Sequence, residues 1–150
     1  MTKREKIEQF LSCKNFAITG VSRTEEKFGN AVYKELTNKG MKLFAVNPKA
    51  VSPSNIEFFT SFDKIPVPVD GIISAVPRVE SMNIAFDAIR HGIRNIWFQQ
   101  GTASKEALDF CKQNKINAVS GECILMFTEP VKSIHKFHRT IKKMFGRYPK

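Results

Sequence analysis

Residues 16–30 read FAITGVSRTEEKFGN, and the rest of the fold can be read outward from this stretch. Phe16, Ala17, Ile18 and Thr19 form a short run of apolar and β-prone residues that ends in a glycine. From Phe28 onward apolar residues return at four-residue steps, as Phe28, Val32 and Leu36. The first pattern suits a strand covered on both faces, the second one stripe of a helix. Gly20 and Gly29 lie at the two ends of the intervening loop. Gly20 lets the backbone turn tightly and approach a ligand, and Gly29 does the same where the helix starts. A helix start carries unpaired N–H groups and the positive end of the dipole, so this junction suits a phosphate. Ser22, Arg23, Lys27 and Asn30 add donors of the right kind. From this stretch alone, an ordinary βα loop with a solvated charge run fits equally well.

The same alternation continues along the chain. Further β-rich runs occur at residues 43–46, 72–76, 96–98 and 118–119. Between them, Val79, Met82, Phe86 and Ile89 mark one helical stripe, and Ala103, Ala107, Phe110 and Cys111 another. Gly40 and Gly92 punctuate helix ends. Strand–helix alternation implies right-handed crossovers and a parallel sheet. The expected fold is therefore α/β: a five-stranded parallel sheet in a single domain. Residues 47–70 break the pattern with four prolines and no helical stripe. They read as an irregular connection with one short turn near residues 61–65.

Composition agrees with one globular domain. The chain has 150 residues, 42% hydrophobic and 25% charged, which excludes disordered and fibrous classes. No apolar run approaches the roughly 20 residues of a membrane span, and the charged N-terminus does not read as a secretory signal. Cys13, Cys111 and Cys123 are odd in number and at no metal-like spacing. Together these features predict reduced thiols in a cytoplasmic protein without a membrane partner. The net charge is +10, which favours polyanionic ligands. Seven basic residues and one acidic residue fall in 129–150, so +6 of that charge sits there. Ile134, Phe137, Ile141, Met144 and Phe145 give this segment an amphipathic helical pattern over about 129–145. It is expected to pack on the sheet with its charges solvated. Steering an anionic ligand, or binding nucleic acid or an anionic membrane surface, are the alternatives.

Open α/β sheets bind ligands outside the carboxyl ends of their strands. Those ends read Val46-Asn47-Pro48-Lys49, Val76-Pro77-Arg78, Gln99-Gln100-Gly101 and Ser120-Gly121-Glu122-Cys123. Each pairs a polar or basic residue with a proline or glycine, and their convergence suits a nucleotide-sized ligand. NAD sites follow G-x-G-x-x-G and place a carboxylate after the second strand. Here the second glycine is absent and Lys49 stands near the carboxylate's place. A ligand with a phosphate on its adenosine ribose fits better. No G-K-[ST] supports a Walker A loop.

Taken in order, AITGVSRTEEKFGNAVYKELTNKG, FAVNPK, DGIISAVP, IWFQQG and SGECILM resemble the CoA-binding domain family. Its small stand-alone members are similar to the N-terminal domain of the succinyl-CoA synthetase α subunit. The resemblance implies a Rossmann-like, doubly wound fold of strand order 3-2-1-4-5, with coenzyme A lying across the strand ends and a core of about residues 14–127. The contacts it implies are Gly20, Ser22 and Lys27, then Asn47, Pro48 and Lys49, then Val76 and Pro77, with Gln100 and Gly101 near the pantetheine arm. Val21, Arg23, Phe28, Gly29, Asn30 and Arg78 complete the expected site. The resemblance supports noncovalent binding of CoA or an acyl-CoA and gives no support to ligase chemistry. An NAD(P)-linked oxidoreductase is the first alternative, and nucleic-acid binding through the basic C-terminal helix the second.

Catalytic candidates are sparse. His91 reads as a helix-end residue, and His135 and His138 lack the further ligands that a zinc site needs. Cys123 stands at a strand end, where thiol exchange with CoA is conceivable; a buried structural role is the expectation. Cys13 and Cys111 read as helix packing positions, and Trp97 as a core aromatic.

Overall fold

A computed structural model describes residues 1–22, 27–49 and 56–128. The C-terminal helix expected over 129–145 lies outside the described residues. The strands are β1 (Asn15–Thr19), β2 (Lys42–Val46), β3 (Phe58–Phe59), β4 (Gly71–Ser74), β5 (Asn95–Phe98) and β6 (Asn117–Val119). The helices are α1 (Lys3–Leu11), α2 (Phe28–Asn38), α3 (Ser81–Arg90) and α4 (Lys105–Gln113). The sheet runs β3-β2-β1-β4-β5-β6 with every neighbouring pair parallel. All carboxyl ends therefore share one rim.

The sheet has six strands rather than the expected five. The extra strand is β3, in the proline-rich connection that read as irregular. Its two residues are too few to show a period, and they form a strand because Phe58 and Phe59 pair with Ala45 and Val46. The strand order changes as well. The expected order placed residues 72–76 outside the 43–46 strand. Instead Ile72 and Ile73 pair with Ala17 and Ile18 of β1, and β3 takes the edge. The short turn expected near 61–65 is present at Phe62–Lys64.

Strand alternation sorts the core into two layers. Phe16, Ile18, Ile73 and Trp97 face α1, α2 and a short turn at Ile124–Met126. Ala17, Ile72, Ile96 and Phe98 face α3 and α4. Trp97 is fully buried; its indole Nε1 donates to the Glu122 carbonyl at 2.9 Å, and Phe10 meets it edge-on at 5.5 Å. The first layer draws on the N-terminal segment: a reciprocal cap between Thr2 and Glu5 starts α1, which buries Ile7 and Phe10.

The stripe read on α3 is not its core face. Val79 is 89% exposed, Phe86 45% and Ile89 38%. The buried positions are Ser81, Ile84, Ala85 and Ala88. Ile84 takes the inner face with the small Ser81, Ala85 and Ala88, and Met82 is half-buried beside them, which leaves Phe86 and Ile89 outside. Cys13 follows α1 rather than packing within a helix, while Cys111 is buried on α4. Burial pushes the Cys111 thiol up to about 11. Burial and then the Asp70 carboxylate do the same to Cys13. At pH 8 about one thousandth of such a thiol is thiolate, the nucleophilic form. Native protein treated with iodoacetamide at that pH is expected to keep Cys111 unlabelled, as read by peptide mass spectrometry. Labelling as fast as in urea would contradict the buried assignment.

Candidate functional site

The rim is built around the start of α2. Lys27 is its N-cap residue, in an extended conformation, and no side chain caps the helix. By contrast Thr2 caps α1 and Ser104 caps α4 through side-chain oxygens. An uncapped start leaves first-turn N–H groups available to an anion. No acidic residue occupies the first turn of α2.

Several residues expected to touch a ligand instead hold the loop in place. The Asn30 side chain is buried and bridges the loop: Ser22 N donates to its Oδ1 at 3.0 Å, and its Nδ2 donates to Ser22 O at 2.6 Å. Asn47 Nδ2 donates to Val21 O at 3.0 Å, and its Oδ1 accepts from Lys49 N at 2.9 Å. The Val21 side chain is part of the core. These bonds draw the first loop and the end of β2 into one unit. Both glycines answer to the protein's own backbone. Gly20 has φ +95°, and a Cβ there would lie 2.6 Å from the Ala75 carbonyl. A Cβ on Gly29 would lie 2.2 Å from Gly20 O. Close packing of the β1 end, the β4 end and the α2 start therefore explains the glycines without a ligand.

What remains open is cationic. Lys27, Pro48 and Lys49 are exposed, and neither lysine has an ion pair among the described residues. Phe28 is 56% exposed beside Lys27. At the ends of β4 and β5, Val76 is half-buried and Pro77 exposed, and Arg78 Nε donates to Gly101 O at 3.3 Å, joining the third and fourth strand ends of the sequence reading. Gln100 and Gly101 are exposed. Arg23 lies outside the described residues. Lys27 and Lys49 thus sit at the start of α2 and just after β2, with Arg78, Gln100 and Gly101 just after β4 and β5.

Three contributors escaped the sequence reading of the site. Gln99 is buried, with its Oε1 accepting from Ile124 N at 2.9 Å and its Nε2 lying 3.5 Å from Cys123 Sγ. It anchors the last strand-end loop, and Cys123 is half-buried beside it. Thr19 and Ser74 sit in register at the ends of β1 and β4. Their hydroxyls are buried with no hydrogen-bond partner among the described residues. Alternation places both on the side of Ala17 and Ile72, facing the α3/α4 layer. Two polar residues at matching ends of apolar strands were the available signal. Buried hydroxyls without partners are costly in a dry site and suit one that receives a polar ligand or water.

The remaining candidates play no part here. His91 ends α3 and lies against Phe62, ring centroids 5.5 Å apart. His135 and His138 lie outside the described residues. Among the described residues no cluster of three His, Cys, Asp or Glu side chains is placed to hold a metal. A cavity of about 370 Å³ lined by Phe62, Ile65, Pro66 and His91 lies at the amino ends of β4 and β5, away from the rim.

Parallel strands whose carboxyl ends share one rim with the start of α2, packed between helices on both faces, define a Rossmann-like domain. The CoA binding domain family matches residues 14–129, and the chain belongs to that family. It is 24% identical over 124 residues to the Bacillus subtilis (strain 168) protein YneT, described as uncharacterized, covering 82% of this chain and 91% of that one. A conserved hypothetical protein from Pyrococcus furiosus is 30% identical, with TM-score 0.70, over 77% of this chain and 99% of its own. The dinucleotide-forming acetyl-coenzyme A synthetase 1 of Ca. Korarchaeum cryptofilum shares the fold, at TM-score 0.59 and 17% identity, over 70% of this chain and 25% of that enzyme. Among the described residues, no helix is long and apolar enough to cross a membrane.

Proposed function

We propose that this protein binds coenzyme A or an acyl-CoA noncovalently across the carboxyl ends of its strands and performs no chemistry of its own. The observation that carries the reading is the uncapped start of α2 with the exposed Lys27 on it, and the exposed Lys49 just after β2, in a member of the CoA binding domain family. The pyrophosphate is assigned to Lys27 and to the first-turn backbone of Phe28 and Gly29, where the helix dipole favours negative charge, with Gly20, Val21 and Ser22 shaping the loop beside it. Lys49 is assigned to the ribose phosphate and Pro48 to the adenosine edge. Val76, Pro77, Arg78, Gln100 and Gly101 line the pantetheine arm. Asn30 and Asn47 act through the loop they hold. Binding without turnover fits the commitments of the nearby polar groups. Glu122 is paired with Lys3 at 3.1 Å, and the Gln99 amide is used on the neighbouring loop. β2 is followed by Asn47 rather than a carboxylate, so an NAD-type ribose contact has no support.

Titration calorimetry is the direct test. Saturable binding of CoA is expected, with affinity that falls as salt rises because exposed cations are screened within a Debye length of about 10 Å at 0.1 M. Absence of heat with both CoA and an acyl-CoA would overturn the reading.

A further inference from the structure

Phe28 is a large aromatic side chain left 56% exposed at the first position of α2, and no ring packs on it among the described residues. Burying a phenylalanine is ordinarily favourable by about 1.5–3 kcal/mol, so a ligand that covered this ring would gain from the contact. The other large apolar side chains exposed among the described residues differ in place or kind. Met1 is at the terminus, Val67 lies in the connection before β4, and Phe86 and Ile89 lie on the outer side of α3. Val79 is near the rim but aliphatic. Phe28 is thus an exposed aromatic at the start of α2, next to the N-cap residue Lys27.

We infer that Phe28 is the base-stacking residue of this site and selects ligands that carry a purine. The inference rests on the CoA reading above and adds a specificity determinant to it. A purine offers a flat π-face, whereas the ammonium groups of Lys27 and Lys49 suit phosphates. An aromatic platform beside the helix start assigned to the pyrophosphate would hold the base while the cations hold the phosphates. Stacking of this kind is sequence-tolerant and directional, and it pins the base while the phosphates are held electrostatically.

The test compares CoA with its two halves, adenosine bisphosphate and phosphopantetheine, on the full chain. Phe28→Ala is expected to weaken CoA and adenosine bisphosphate by a common factor of about 5- to 150-fold, leaving phosphopantetheine unchanged. Because Phe28 is exposed, the variant is expected to melt like its parent. Phe28→Trp is expected to keep CoA affinity and to show emission quenched by adenosine bisphosphate. Trp97 is fully buried and supplies a constant baseline. Equal weakening of phosphopantetheine, or unquenched emission, would overturn the stacking role. A parent protein that takes no CoA would overturn both readings. One that takes CoA but is indifferent to Phe28→Ala would overturn this one alone.

Discussion

Gly29→Ala is expected to lower the melting temperature by about 6–12 °C and to weaken CoA binding with it. The added methyl would lie 2.2 Å from Gly20 O and 2.7 Å from Gly20 C. Both are backbone atoms, so no rotamer change relieves the clash and α2 must shift from the first loop. Overpacking typically costs about 1–3 kcal/mol, and backbone contact belongs at the top of that range. For a chain of this length each kcal/mol is worth about 2–4 °C. Gly40→Ala is the control: a Cβ there meets nothing within 4 Å, and only its φ of +87° is strained. That substitution is expected to cost about 1–2 kcal/mol and to leave ligand affinity alone. A Gly29→Ala melting curve and CoA affinity matching the parent would refute the close packing of the loop against the helix.

Lys49→Ala is expected to weaken CoA by about 10- to 150-fold while leaving dephospho-CoA nearly unaffected. The size follows from losing a charge-assisted hydrogen bond, worth about 1.5–3 kcal/mol. The selectivity follows from the residue's place: Lys49 comes just after β2, where dinucleotide sites of this topology contact the ribose. Lys27→Ala removes a cation from the helix start and should weaken CoA and dephospho-CoA in equal proportion. The parent should accordingly prefer CoA to dephospho-CoA, and Lys49→Ala should erase that preference. Calorimetric titration of both ligands against both variants reads all of this. If Lys49→Ala weakens both ligands equally, the lysine does not serve the ribose phosphate.

The large-scale features of the fold were legible because they depend on local periods. Continuous apolar runs announced parallel strands, four-residue steps announced helices, and the FAITG run followed by Phe28, Val32 and Leu36 located the first βα unit. Val32 and Leu36 are indeed fully buried. Period alone could not tell which stripe of α3 faces inward. That helix carries apolar residues on two stripes, and the one with Ile84, Ala85 and Ala88 packs on the sheet while Phe86 and Ile89 stay outside. Nor could it reveal β3, whose two residues have no period and exist as a strand only through pairing with β2.

The site divides in the same way. By itself the sequence determined that donors, cations and glycines gather at the carboxyl ends of a parallel sheet, since residue type and strand direction suffice for that. Tertiary structure alone decided how those groups are used. Asn30 and Asn47 are consumed in tying the first loop to its neighbours, Gly29 is required by the Gly20 carbonyl, and Lys27 and Lys49 have no ion pair among the described residues. The physical reason is that a hydrogen bond or a steric contact is a relation between groups far apart in the chain. Only the folded arrangement assigns each polar atom a partner or leaves it open for a ligand.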